Sequence, residues 1–537
     1  MTAPALTLPA RPGRAAAGLA TRQIRRGGAI VLLLAAGMPA LVTATYAGLA
    51  ADPATAAGLA NIAANPAIRT LFGEPVALDH AGGFTVWRVG TVLTVIVTVW
   101  VALATTRVLR GEEDAGRWNL LLAGRVTRRG LLLRHLAVLA AVPVASGAAV
   151  TAALWNAGPD PAGAIVHGAG VASAGLFAIA VAALAAQALP ARSPVSGTVI
   201  AVLGAGLLLR MIGDGIAALG PLHWLSPFGL LALSSPYGRD DPVPLVVLFA
   251  AALATGAAAV VAAGRRDVGG GLTTPVAGRA PRRWLLGGPG AFAVRRAIGP
   301  VLAWTAGIGA YFLLIGLTAR SVTEFLAGNT VFSDAAAQAG FAGMHTVEGF
   351  TASLFALLAL PVGAFTAVRM GAFAAAETDR RLTSLAAAPL TRTRLLTAEV
   401  AVTAGGALIL LCVAAAATWA GVTAVGGGLA LPAALAGTLN TLPVVALSCG
   451  AAVLAVGVTP RLAVLAGVAP GVGGFLLQVL ADATGAPGWV RDVSPLAHLA
   501  PVPLTGPAWP AALTMTAVAA CLVIAGTVRY ARRDLLL

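Results

Sequence analysis

The residues with the most chemical character in this chain lie in one short stretch, from Arg110 to Arg129. It opens on Glu112, Glu113 and Asp114, continues through Gly116, Arg117 and Trp118, and closes on Arg125, Arg128 and Arg129. Acid at the start of a short helix and base at its end complement the helix dipole. Thr127 stands where it can cap whatever helix follows. A second copy carries Glu377 and Asp379 at its start, then Arg380 and Arg381, and Arg392 and Arg394 at its end, with Thr391 in the capping position. One reading is an interfacial helix held at lipid headgroups. The other is a docking helix for a cytoplasmic partner, and recurrence favours it, because a two-fold partner needs two matching contacts.

Other chemistries find little support. The six histidines are scattered, with no H-x-x-x-H pair, and Cys412, Cys449 and Cys521 all lie in apolar runs. Neither a metal site nor a disulfide is suggested. Asp240-Asp241 is the one acidic pair on a candidate outer loop, too little for a lipid-handling transferase. The chain has no lysine, and a Walker A loop needs one on the phosphates. An ion-coupled carrier would bury carboxylates mid-membrane. Here Glu399, Asp214, Arg88 and Arg210 stand near the ends of apolar runs, either as snorkelling structural charges or as substrate contacts. The net charge of +15 is spread as arginine clusters with no interleaved aromatics, which argues against nucleic acid.

The elements that must position these groups follow from composition. The chain is 58% hydrophobic and 10% charged over 537 residues, against roughly 25% charged in soluble domains. Apolar runs of helical length appear near 28–50, 84–106, 131–156, 162–189, 194–212 and 243–264. A second set lies near 299–319, 349–369, 395–421, 430–457, 462–481 and 508–528. A backbone in lipid must satisfy its own hydrogen bonds, so these are helices. The fold class is an all-α polytopic membrane protein of about twelve spans. The first run is too long for a signal-peptide core and is read as a retained span. With the N-terminus inside, 29 of the 35 basic residues fall on the inner side, which makes both termini cytoplasmic.

The two halves are repeats. The Glu113 motif matches the Glu377 motif at an offset of 264, Ser226-Pro227 matches Ser494-Pro495 at 268, and Arg265-Arg-Asp267 matches Arg532-Arg-Asp534 at 267. Six spans per half, an even number, make the repeats parallel rather than inverted. The expected organisation is a cytoplasmic N-terminal or elbow segment at 1–27, a six-span half at 28–264, a basic cytoplasmic linker and second elbow at 265–298, a second half at 299–528 and a cytoplasmic tail at 529–537. The apolar outer segment 213–242 reads as short half-helices dipping back into the membrane. Arg22, Arg25 and Arg26, and Arg295 and Arg296, fit either amphipathic elbow helices or simple inner-side anchoring.

A six-span unit with a Glu-Glu-x-x-Gly-Arg helix between spans two and three resembles the type-2 permeases of ABC exporters. The fused form, with Asn65-Pro66-Ala67, the two Ser-Pro pairs and the two Arg-Arg-Asp triplets, is similar to the actinobacterial exporters of polyketide antibiotics such as tetronasin. The resemblance covers the whole chain. It implies that Glu112, Glu113, Gly116 and Arg117, and Glu377 and Arg381, belong to coupling helices resting on two copies of a cytoplasmic ATPase, which would bind ATP and Mg. The chain itself would hold no cofactor and catalyse nothing. Its implied place is the bacterial plasma membrane and its implied cargo an amphiphilic or hydrophobic compound, moved outward. The second copy departs from the pattern, with Ala376 for Glu112 and Arg380 for Gly116, so its contact is expected to differ. The alternative class is an ion-coupled carrier with two parallel six-span halves, and after it a membrane enzyme.

Overall fold

The computed structural model describes residues 12–50, 69–70, 72–124, 126–155, 157, 161–273, 284–328, 343–379, 382, 390–484 and 486–533. Twelve helices in it are long and apolar enough to cross a membrane, and no strand occurs among the described residues. Spans one to six are Gly13–Tyr46, Ala81–Asp114, Arg128–Leu154, Ala162–Ala188, Arg192–Gly215 and Val243–Ala263. Spans seven to twelve are Pro289–Ala327, Val347–Thr378, Arg392–Ala424, Leu431–Val458, Pro460–Gln478 and Trp509–Arg532. The chain divides into two compact units, Met1–Arg279 and Ala280–Leu537. The protein is thus an all-α polytopic membrane protein.

Several helices outrun their apolar runs. Span two has 34 residues, about 51 Å at 1.5 Å per residue, against roughly 30 Å of hydrocarbon. The surplus carries its last turns, with Arg110, Glu112, Glu113 and Asp114, beyond the apolar layer. The first helix runs unbroken over Pro12–Ala50, so Arg14, Arg22, Arg25 and Arg26 extend span one instead of forming a separate elbow helix. Gly27-Gly28 looks like a break in sequence, but a side chain at Gly27 would collide with the Trp100 ring; the glycine makes room for packing. Arg295 and Arg296 likewise belong to the helix of span seven.

Each half is organised around two central spans. In the first half, spans two and four bury 56% and 61% of their apolar windows, while the others stay below 34%. In the second, spans eight and ten bury the same shares. Small residues let neighbours approach: a Cβ on Gly147 would meet the Gly168 carbonyl at 2.3 Å, and one on Gly316 the Thr418 carbonyl at 2.5 Å. Such close backbone contact is how helices associate in lipid, where apolar burial drives little. The segment 217–225 is a short 3-10 helix, followed by helix Pro227–Leu233. Ser226 caps the latter, accepting from the Phe228 and Gly229 amides at 3.1 Å, and donates to the Gly206 carbonyl at 2.6 Å. Phe228, Leu230 and Leu231 are buried, so the apolar outer segment folds back onto the bundle.

Candidate functional site

The interspan turn in the first half is built by a helix that ends where its charges must be neutralised. Glu112–Asp114 form the last turn of span two, not the first turn of the next helix, as the acid-to-base pattern suggested. Gly116, at φ 74°, breaks the chain direction, a left-handed conformation that costs other residues most. A six-residue helix, Arg117–Leu122, then leads to Thr127, which accepts from the Gly130 amide at 3.1 Å and starts span three. Thr391 caps span nine in the same way, accepting from the Arg394 amide at 3.3 Å. Carboxylates at a helix C-terminus oppose its dipole, and arginines offset them.

Glu113 is 5% exposed. Its oxygens accept from Arg266 Nη1 and Nη2 at 2.6 Å each and from the Gly269 amide at 2.8 Å, with Arg110 Nη1 at 3.2 Å. Arg266 also donates to Gln187 Oε1 at 2.8 Å. Arg110, fully buried, donates to the Pro190, Gly269 and Gly270 carbonyls. The result is a latch that fastens the end of span two to the segment after span six. Arg110 lies in a π-helical stretch, Arg107–Gly111, which rotates its side chain off the regular helical register.

The second half repeats the latch. Glu377, 5% exposed, accepts from Arg533 Nη2 at 2.7 and 2.6 Å, and Arg392 donates to the Arg533 carbonyl. The two strongest landmarks of the sequence repeat, the interspan glutamate and the arginine after the sixth span, therefore bond to one another in both halves. Neither glutamate presents its carboxylate to solvent.

Glu112 and Arg117 behave differently. They form a two-pronged pair at 2.5 and 2.6 Å across the Gly116 turn, and Arg117 is largely exposed. Beyond them stands Leu120, 79% exposed, an apolar side chain at the polar end of the half. The charge pattern of the sequence does not mark it. Trp118 turns inward instead and packs its ring 6.0 Å from His135. Arg381, Arg380 and Arg125 lie outside the described residues, as does Asn65-Pro66-Ala67.

The remaining charges near span ends fall into clusters, except Arg88, whose guanidinium lies 6.0 Å from the Phe84 ring centroid. Glu399, 2% exposed, holds Arg369 at 2.8 Å and Arg296 at 3.0 Å, tying spans seven, eight and nine together. At the opposite end of the first half, Asp214 pairs with Arg210 at 2.5 Å and with His223 Nε2 at 2.8 Å. The Asp214 carboxylate raises the His223 pKa above its ordinary value, against the opposing effect of burial. Burial pushes the Tyr237 phenol up to about 12. Among the described residues no group of three or more His, Cys, Asp or Glu side chains is placed to hold a metal ion.

The structure thus joins twelve apolar spans to a latched interspan turn in each half, and comparison with known proteins gives the family. The family model for the C-terminal domain of the multidrug efflux system permease Rv1217c matches residues 14–263 and 286–531, one stretch in each half. The chain is 32% identical over 517 residues to the multidrug efflux system permease protein Rv1217c of Mycobacterium tuberculosis, an alignment covering 94% of this chain and 91% of that one. The chain belongs to the Rv1217c-like family of multidrug efflux permeases.

Proposed function

We propose that the chain is the membrane-embedded permease of an ATP-driven exporter, moving amphiphilic or hydrophobic compounds outward, with antibiotics of the tetronasin type among the candidates. The observation that carries this is the latched turn between the second and third spans of each half. A rigidly fastened turn at the arginine-rich end is suited to transmit force from a cytoplasmic ATPase into the bundle. The absence of lysine leaves no Walker A loop in this chain, so two copies of a separate ATPase would bind ATP and Mg. Both termini would lie in the cytoplasm of a bacterial plasma membrane. The docking contact falls to exposed residues, Arg117 and Leu120, with Glu112 orienting Arg117, Gly116 setting the turn and Glu113 fixing it from behind. In the second half Glu377 fixes the turn in the same way, and Arg381 would belong to its docking face.

The ion-coupled alternative needs a carboxylate free to exchange its ion. Every buried carboxylate among the described residues, Glu113, Asp214, Glu377 and Glu399, is instead paired with arginine. The test is co-purification of the tagged chain from its native membrane, wild type against Leu120→Asp. We expect an ATPase with the wild type and its loss from the variant, with the variant's melting temperature unchanged. If no ATPase accompanies intact wild type, and uncoupler rather than ATP depletion stops dye export, the ion-coupled carrier takes its place.

A further inference from the structure

At the end of the first half away from the latch lies a cavity of about 470 Å3, bounded by the loop before span two, the outer turns of spans two, four and five, and helix Pro227–Leu233. That volume is in the range of small-molecule sites. Trp87 and Phe228 give it apolar walls, and both are buried. Its wall includes a π-helical stretch, Val86–Gly90, an irregularity frequent at functional sites.

The polar groups inside are unbalanced. Arg210 is 4% exposed; its Nε faces Asp214 at 2.5 Å and its Nη2 donates to the Phe72 carbonyl at 2.9 Å. Its Nη1 is buried with no hydrogen-bond partner among the described residues. On the facing span, His167 is 3% exposed and its Nδ1 is likewise without a partner there. His223 directs one ring nitrogen at the Gly220 carbonyl, 2.7 Å, and the other at Asp214, 2.8 Å. Two acceptors require two N–H donors, so the imidazole is held as the cation. Arg210 and His223 together carry two positive charges against the single carboxylate of Asp214. At the rim, Glu74 pairs with Arg69 at 3.2 Å, and Arg239 is exposed. A buried net charge with an unused donor is costly to leave uncompensated.

We propose that this cavity binds an anionic amphiphile, a carboxylate or phosphate on an apolar body, with Arg210 Nη1 receiving the anion and Trp87 and Phe228 the body. The ring of His167 supplies a second polar contact on the opposite wall. By the offset of the Ser-Pro pairs, the second half has Gln478 where the first has Arg210, and Arg491 where it has His223; the site is one per chain. It is independent of ATPase docking at the other end, and a failure of one leaves the other standing.

The test uses the full chain in phosphatidylcholine nanodiscs and stearic acid bearing a mid-chain diazirine, with its methyl ester as the uncharged control. After irradiation, peptide mass spectrometry should find one saturable label per chain, within residues 72–94 or 228–239. The ester should label about tenfold less, and so should the acid on Arg210→Gln, the loss expected for one charge-assisted hydrogen bond. Thr91→Trp, which fills the cavity without touching the ion cluster, should abolish labelling with the melting temperature kept, and decides the matter should Arg210→Gln fail to fold. Equal labelling by acid and ester, label spread over lipid-facing helices, or full labelling of Thr91→Trp would overturn the proposal. Exchange of the lipid for phosphatidylglycerol separates the sources. Suppressed labelling makes the resident a lipid phosphate, and retained labelling makes it a free carboxylate compound.

Discussion

Glu113→Gln is the perturbation on which the structural argument bears hardest. The glutamate receives two nitrogens of Arg266 at 2.6 Å and the Gly269 amide at 2.8 Å, and it is 5% exposed. Neutralising it leaves Arg266 buried without its counter-charge, while Arg110 keeps Asp114 at 3.2 Å. Removing one partner of a buried ion pair costs about 3–5 kcal/mol, because the other charge is stranded. For a unit of this size, 1 kcal/mol moves the melting temperature by roughly 2–4 °C, so the fall should be about 6–20 °C. Heating a fluorescently tagged chain in detergent and following the surviving monodisperse peak by size exclusion measures it. Glu112→Gln, which loses an exposed pair worth roughly 0–1 kcal/mol, is the internal standard. Adding Arg266→Met to Glu113→Gln should recover part of the loss, since the stranded charge goes with it. If Glu113→Gln melts no lower than Glu112→Gln, the latch is not holding the first half together and the argument fails.

Three further outcomes follow from the same geometry. Glu399→Gln strands Arg369 and Arg296 between spans seven, eight and nine, and should lower the melting temperature by an amount comparable to Glu113→Gln; a shift as small as that of Glu112→Gln would contradict this. Gly116→Ala places a side chain at φ 74° with no steric contact to compensate, at a cost of about 1–2 kcal/mol; a melting curve identical to wild type would show that the turn adapts. His223, whose pKa is raised chiefly by its hydrogen bond to Asp214, contributes stability that is fully present below its unfolded value and is lost as pH rises through the folded one. The melting-temperature gap between wild type and His223→Gln should therefore be widest at about pH 5.5 and narrow by about pH 8.5, and a gap that grows with pH would refute the assignment.

The spans were legible because lipid leaves few options: each apolar run near 28–50, 84–106 and onward lies within or beside one of the twelve helices. Their ends were less so. Hydropathy reports what sits in hydrocarbon, whereas Glu112–Asp114 continue span two past it, held by neighbouring Arg110 and by Arg266 from a place distant in sequence. The same distance hid the role of Glu113. A charged, repeated glutamate reads as exposed, and only the fold brings residue 266 to residue 113. Leu120 was hidden for the opposite reason, since an apolar residue beside Leu121 and Leu122 gives no sign that it alone of the three is exposed.

Comparison of the halves separates what the architecture requires from what has been left free to change. The glutamate–arginine latch occurs in both, at the same repeat positions, although Arg110 has no arginine counterpart at residue 374, which is alanine. Glu399, by contrast, corresponds to His135, so a three-way ion cluster in one half is replaced by a ring packed on Trp118 in the other. The Arg210 cluster has Gln478 in its counterpart position. Helix association in lipid rests on close packing and interhelical hydrogen bonds, and the latch supplies such bonds twice, at matching repeat positions. Side chains that differ between halves are not needed for that purpose. Their charges, buried at a cost, are therefore where tasks particular to one half should be sought: the cavity at Arg210 in the first, and the clamp at Glu399 in the second.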